Sequence, residues 1–538
     1  MALGGKLNFN RLAALLIGAV GIAIYANSLL APFLFDDMIY LVNNERIQSL
    51  WPIWETLGPQ GYGNWRPMLS LSFALNYQLH GGRVLGYHIV NLGLFLLTGW
   101  LLFRFLTLLF QQPAFRERTG SAAGGLALAA VLVWLSHPIQ TEAVTYITQR
   151  SGLLMGFFFL IALIESFRSF EPGAPARHQW FAWAACVAGM LSREEMAAAP
   201  LIILAFDRLF ISGTFRRAWR NHRRLHLGLL ACWGILPPLL AFGPKILEIQ
   251  MFPRLLSPWN YLLTQSGVLL HYLRLILWPD RLTLDYLDWP IAQHLSEVWL
   301  PATAILALLI GTAWGFWKRR AESAVGVWCF FLLAPTSSFL PIISEVAAER
   351  RVYLPLAALS AAAALAVWRL LGRLKSEWTR QLVGMGLTAA IVLGLGIATV
   401  RRNETYQTSI AIWEDTARKR PNNSRAQLNL GQAYLAAGRW EEGYAHTIRT
   451  LELDPRAGAA YNNLGLLAMF QHDFDRAIEL FQIALALDPG YAVYWKTAEH
   501  LETAREIREK LAEDPTLLDH FPEPLIRELN EMLKELAP

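Results

Sequence analysis

Cysteine is nearly missing from this chain, three residues in 538, and Cys186, Cys232 and Cys329 all sit inside apolar segments. Without paired or metal-ligand spacing they exclude a disulfide framework and read as small buried hydrophobes. Charge is scarce as well: Asp, Glu, Lys and Arg make up 17% of residues against 54% hydrophobic, which excludes an ordinary soluble core and points to a membrane. The net charge of +5 falls in short clusters between apolar segments, so no soluble basic patch for nucleic acid is present. A phosphate-cradling glycine loop, a His-Glu-x-x-His pair and a nucleophile elbow are also absent, leaving ATP, zinc-protease and serine-hydrolase chemistry without support.

What the chain has instead is apolar length. Runs able to cross about 30 Å of hydrocarbon, which takes about 20 helical residues, occur near residues 11–33, 86–110, 121–137, 150–167, 179–192, 195–211, 225–243, 298–317, 324–343, 352–371 and 381–400. That predicts an all-α, polytopic domain of about eleven spans over residues 1–402, the first an uncleaved helix. Basic clusters at Lys6 and Arg11, Arg116 and Arg118, Arg168 and Arg177, Arg216 to Arg224, Lys318 to Arg320 and Arg373 to Arg380 orient it, with the N-terminus inside and the C-terminal domain outside. Residues 259–278 break the parity of that scheme. Part of residues 244–278, rich in proline, is therefore expected to be interfacial or re-entrant.

Orientation places Asp36, Asp37, Arg66, His88, His137, Glu142, Arg150, Arg193, Glu194, Glu195, Glu345, Glu349, Arg350 and Arg351 at the outer ends of helices or in the loops between them. Ionisable groups at membrane depth are costly unless paired or facing a wet cavity, so their concentration on one side predicts a polar cavity opening outward. The plainer alternative is that they cap helices and solvate short loops.

Beyond residue 402 the chain repeats at a period of 34: Asn429-Leu430-Gly431 recurs as Asn463-Leu464-Gly465, and Asp454-Pro455 as Asp488-Pro489. This is the tetratricopeptide period. Residues 403–538 are expected to form a short α-solenoid, with a leading half-repeat at 409–420 and capping helices in the charged tail from 499 to 536. Such a stack either binds a partner polypeptide or serves as a rigid platform for the membrane domain.

Candidate chemistry lies at the membrane edge. Phe35-Asp36-Asp37 follows the first span and precedes an aromatic-rich segment, residues 51–82. Adjacent carboxylates cannot share one helix face, so one can point into a cavity as a base while the other packs elsewhere. Together with Trp65-Arg66-Pro67, Tyr87-His88-Ile89-Val90-Asn91, the segment from His137 through Glu142 to Val144, Gln149-Arg150-Ser151, Ser192-Arg193-Glu194-Glu195 and Ala348-Glu349-Arg350-Arg351, this motif resembles the transmembrane and tetratricopeptide-repeat family. That family is related to the protein O-mannosyltransferases of the GT-C fold.

The resemblance implies an inverting glycosyltransferase that moves a sugar from a polyprenyl-phosphate carrier to a hydroxyl acceptor, a protein Ser or Thr, on the outer face. By it, Asp36 is the base and Asp37 its helper, and Arg66, Arg150, Arg193 and Arg350 hold the donor phosphate. The relatives carry Asp-Glu where this chain has Asp36-Asp37, and Ser-Lys-Glu where it has Ser192-Arg193-Glu194, so the choice between the two aspartates stays open. His88 and His137 either bind sugar or acceptor or satisfy backbone carbonyls. Glu142, Glu194 and Glu349 either join them or pair with arginines. No cofactor and no metal ligand set is implied, and a need for a divalent ion is left undecided. The few repeats, against longer animal arrays, suggest a bacterial inner-membrane protein with periplasmic repeats. Rival readings are transfer of a lipid-linked oligosaccharide, transfer to lipid or polysaccharide, and a non-catalytic scaffold recruiting partners through its repeats.

Overall fold

The computed structural model describes residues 2–59, 65–242, 256–338, 340–492 and 496–514. These residues form helices and loops with no strand among them. Among the described residues seven helices are long and apolar enough to cross a membrane, including Val84–Phe110, Trp299–Trp317 and Glu377–Glu404, and Ser323–Leu333 and Pro355–Leu371 are shorter apolar helices. The count of eleven is therefore approximate. The region expected as a span at 195–211 is a succession of a 3-10 turn, the helix Ala199–Phe206 and a π-helical segment Asp207–Ser212. The helix expected to reach residue 343 stops at Leu333.

Large aromatic side chains key the helices together by donating to backbone carbonyls just ahead of the helix Pro355–Leu371. Trp134 donates to the Tyr353 carbonyl and Trp328 to that of Leu354, each at 2.8 Å. These indoles sit in one apolar core with Phe95, Phe105, Phe159 and Phe206.

Hydrogen bonds and ion pairs then divide the membrane domain into two faces. On one, Glu322 joins Arg118 and Arg369, Ser121 bonds Glu377, and Arg208 caps the carbonyl of Phe316. This is the face of the basic clusters. The acidic motif, residues 142–150, residues 193–195 and residues 345–351 gather on the other. The helix Pro258–Leu277 belongs to this second face along its length, because Tyr261, Gln265 and Tyr272 bond residues 336, 346 and 348, while Thr264 receives the N–H of Ala292. It packs beneath the loops around residues 336–348. Residues 244–255 of that expected interfacial segment, and 515–536 of the tail, lie outside the described residues.

The repeat stack follows directly on Glu377–Glu404. Its helices are Ser409–Lys419, Ser424–Ala436, Trp440–Leu453, Gly458–Phe470, Phe474–Leu487 and Thr497–Glu513. The 34-residue period has a packing cause at Gly465, where a Cβ would stand 2.5 Å from the Phe481 ring, and at Gly431, where it would stand 2.9 Å from Thr447 Oγ1. Asn403 is fully buried, donating to the Ile24 carbonyl at 3.1 Å and to Asn27. The triplet Asn403-Glu404-Thr405 is thus a structural tie between first and last spans.

Candidate active site

Phe35 adopts φ +50, a left-handed conformation unusual for a side chain of its size. Its ring stands edge-on to Trp413, centroids 5.3 Å apart, and 5.8 Å from the Arg425 guanidinium. Both partners come from the repeat stack. The turn so formed sends the next two aspartates into different surroundings.

Asp37 is buried, and its carboxylate is committed: Leu34 N–H donates to one oxygen at 3.0 Å, and Thr148 donates to the other from its N–H at 2.7 Å and from its hydroxyl. Asp36 is half-buried and ties its backbone N–H to Tyr146 Oη at 3.0 Å. Burial and the charge of Glu345 push its carboxyl up to about 6, against the pull of Tyr146, Arg350 and Arg425. For Asp37 burial prevails over the three donors and raises the carboxyl to about 7.

The arginines differ among themselves. Arg350 is clamped, its guanidinium on Glu142 and Glu345 and its N–H on Glu142 at 2.8 Å. Burial opposes the Glu345 carboxylate, but Arg350 and Arg351 outweigh it and hold the group at about 2. Arg193 gives its Nε to both oxygens of Glu195 at 2.8 Å and reaches Gln149. Arg66 makes one bond to Glu194 at 3.1 Å, and its Nε has no partner among the described residues. Arg66 and Arg350 both bear on the charge of Arg193, and Arg350 also on that of Asp36.

Arg150 stands apart. It is completely buried, donates to Asn91, Ser72, Asn76 and Tyr87, and lies over the Phe73 ring at 4.5 Å. The structure uses it to rivet Pro67–His80, Val84–Phe110 and Arg150–Ser169 together. His88 and His137 also have structural partners: His88 bonds the Ala31 carbonyl at 2.9 Å, and His137 bonds Ile276 O at 2.9 Å and the N–H of Ile139 at 3.2 Å. Glu142 and Glu194 are arginine partners. Glu349 instead accepts from Thr283 N–H and Tyr286 Oη, each at 2.6 Å, and burial raises it to about 7 despite Arg402.

Sequence reasoning missed Tyr146 and Thr148, which lie between two motifs it quoted, and Arg425, which lies in the repeats. Arg425 bonds Asp285 Oδ2 at 2.6 Å and the Ser344 carbonyl at 2.8 Å. The only local clue was its place at the start of the helix Ser424–Ala436.

Models of the tetratricopeptide repeat family match residues 393–444 and 458–491. Over most of its length the chain is 24% identical to "Protein O-mannosyl-transferase Tmtc3" of Drosophila melanogaster, covering 95% of this chain and 63% of that protein. It is 26% identical to "Protein O-mannosyl-transferase TMTC1" of Homo sapiens, covering 85% and 56%. With "Protein O-mannosyl-transferase Tmtc2" of Drosophila melanogaster the identity is 30% over 55% of this chain and 33% of the relative. The chain thus spans less than two thirds of the length of these relatives. It is a multi-pass membrane protein with tetratricopeptide repeats, similar over most of its length to proteins named protein O-mannosyl-transferases.

Proposed function

We propose that the chain is an inverting glycosyltransferase that moves a sugar, mannose by analogy with the relatives' names, from a polyprenyl-phosphate carrier to a protein Ser or Thr hydroxyl at its polar face. That face is periplasmic in this reading, which follows the basic clusters of the opposite face, and the membrane is a bacterial inner membrane, which follows the small number of repeats. The observation that carries it is the unequal fate of the two aspartates. Asp37 has three donors on its carboxylate and fixes the turn, whereas Asp36 lies among Tyr146, Glu345, Arg350 and Arg425.

In the reaction, Asp36 takes the acceptor's proton as the hydroxyl oxygen bonds the anomeric carbon from the face opposite the phosphate. The bond from that carbon to the phosphate oxygen breaks with its electron pair, and polyprenyl phosphate departs. No general acid is needed when cations neutralise the leaving group. Arg66 is the cation best placed for this task, because its fork keeps a donor uncommitted. Arg193 and Arg350 set the field around it. A base pushed up to about 6 remains ionised at neutral pH and accepts a proton more readily than an ordinary aspartate.

The test uses purified full-length protein, a polyprenyl-phosphate mannose donor and a Ser/Thr peptide, with a hexose-sized mass increment as readout. Asp36→Asn is expected to lower transfer by roughly 10²–10⁴-fold while leaving donor binding intact. Arg66→Ala raises the KM for donor as well as lowering kcat. Undiminished transfer by Asp36→Asn removes the motif from the chemistry, and no transfer by the unaltered protein leaves the scaffold reading.

A further inference from the structure

The basic face, remote from the acidic motif, holds a second cluster of chemistry-bearing side chains: Asp207, His222 and His226, with one ligand-type atom from each lying within 4.8 Å of the others. Asp207 Oδ2 stands 2.8 Å from His222 Nδ1 and 2.8 Å from His226 Nε2, and Ser212 donates to Oδ1 at 2.7 Å. Asp207 and His226 are buried, while the His222 side chain keeps 15% of its surface open.

Two departures from regular helix build this cluster. Asp207–Ser212 is π-helical, and the helix Phe215–Ala231 breaks at His222 (φ −123, ψ 24). Histidines four apart already share a helix face, and the break turns the His222 ring so that Nδ1 of one and Nε2 of the other meet a single carboxylate oxygen. The choice of partners is informative. Five arginines lie between residues 216 and 224 and a sixth is Arg208, yet the buried carboxylate is met by two imidazoles, while Arg208 turns away to the carbonyl of Phe316 at 2.6 Å. A guanidinium would satisfy a lone buried carboxylate better than imidazole. Two imidazoles on one carboxylate oxygen are the donor set of a borderline-soft divalent ion.

We propose that Asp207, His222 and His226 bind a transition-metal dication of the zinc class on the basic face. A tetrahedral ion with bonds of about 2.0–2.2 Å needs donor atoms about 3.3 Å apart, so the cluster has to open by roughly 0.5 Å. Ser212 supports the carboxylate from behind, as outer partners of metal ligands do. The open edge of His222 leaves room for water as a fourth ligand. The surrounding arginines repel hard cations held by charge alone, so magnesium and calcium are excluded and an imidazole-binding ion is selected.

The experiment strips full-length protein in detergent with a chelator and titrates it with Zn²⁺, Mg²⁺ and Co²⁺ separately. About one zinc per chain retained through dialysis, a visible cobalt spectrum of the tetrahedral kind and no uptake of magnesium are expected. His222→Gln and His226→Gln should each bind zinc at least roughly tenfold more weakly, and His222→Cys should keep it, since a thiolate replaces the ligand but not the imidazole hydrogen bond. The cobalt spectrum needs only the unaltered protein, so it stands even where a variant folds poorly. No zinc uptake by the unaltered protein, equal uptake by both glutamine variants, or stronger binding of magnesium than zinc overturns the proposal and leaves a hydrogen-bonded Asp–His cluster.

Discussion

The near and far halves of the repeat stack hold on to different things. The near half, through Ala436, is fastened to the membrane domain: Arg402 pairs with Asp415 at 2.6 Å, Lys419 reaches the Leu282 carbonyl, Arg420 pairs with Asp288, and Asn423 and Arg425 share Asp285. Its apolar residues Ile412, Trp413, Ala426 and Leu430 are continuous with Ala31, Leu34 and Tyr146 beside the acidic motif. The far half has its own core around Leu466, Phe481 and Ile507, and its ion pairs Arg449–Glu452, Arg476–Glu479 and Arg508–Asp475 join one repeat residue to another. One tandem repeat is therefore anchored in two ways: its first units pack on the membrane domain beside the acidic motif, and its later ones hold chiefly to each other.

Truncation tests this contrast most severely. Ending the chain at residue 402 removes Trp413 and Arg425 from the motif, and transfer to a short peptide should fall by 10²-fold or more, on the order of losing the base itself. Ending it at residue 456 spares both, so short-peptide transfer persists while folded acceptor proteins lose modification. Equal loss in the two truncations would erase the distinction.

Asp415→Ala comes next, because it leaves Arg402 buried without its carboxylate; a cost of about 3–5 kcal/mol is expected. It should appear as a lower thermal midpoint and faster proteolysis within residues 405–436. Arg425→Gln should act on chemistry more than on folding. The Arg425 charge pulls the Asp36 carboxyl down, so its removal moves the acid limb of the rate profile from near pH 6 to higher pH. The sign follows from the base working only when ionised: rate is lost as pH falls through its pKa, and the variant loses it sooner. Arg425→Lys should restore much of the profile.

In the far half, Gly465→Ala forces a Cβ against the Phe481 ring and should destabilise that half by about 1–3 kcal/mol with short-peptide transfer unchanged. Arg476→Ala, at an exposed pair, should change the midpoint by less than about 0.5 kcal/mol equivalent.

What the sequence made readable follows from how local each signal is. The 34-residue period and the apolar runs are carried within single elements, and the helices Gly458–Phe470 and Val84–Phe110 lie where those patterns put them. The Asp36-Asp37 pair was visible as an exception to apolar surroundings. The clamps on it were not, since Thr148 and Arg425 are ordinary residues until the chain brings them to residue 37 or 35. Arg150 misled for the same reason: a buried arginine with four partners and an arginine facing a cavity look alike in one dimension. His222 and His226 went unremarked in the sequence, and Asp207 joins them only through packing.

Phe35 also sets an order of events in time. Its left-handed backbone, costing about 1–2 kcal/mol, is held in place by the ring of Trp413, a residue the ribosome adds long after the first span has entered the bilayer. The polypeptide leaves synthesis N-terminus first, so the turn that aims Asp36 waits for the near repeat to fold against it. An early part of the chain is thus completed only after residue 413 has been made, and on the proposed reading a chain that ends before it transfers no sugar.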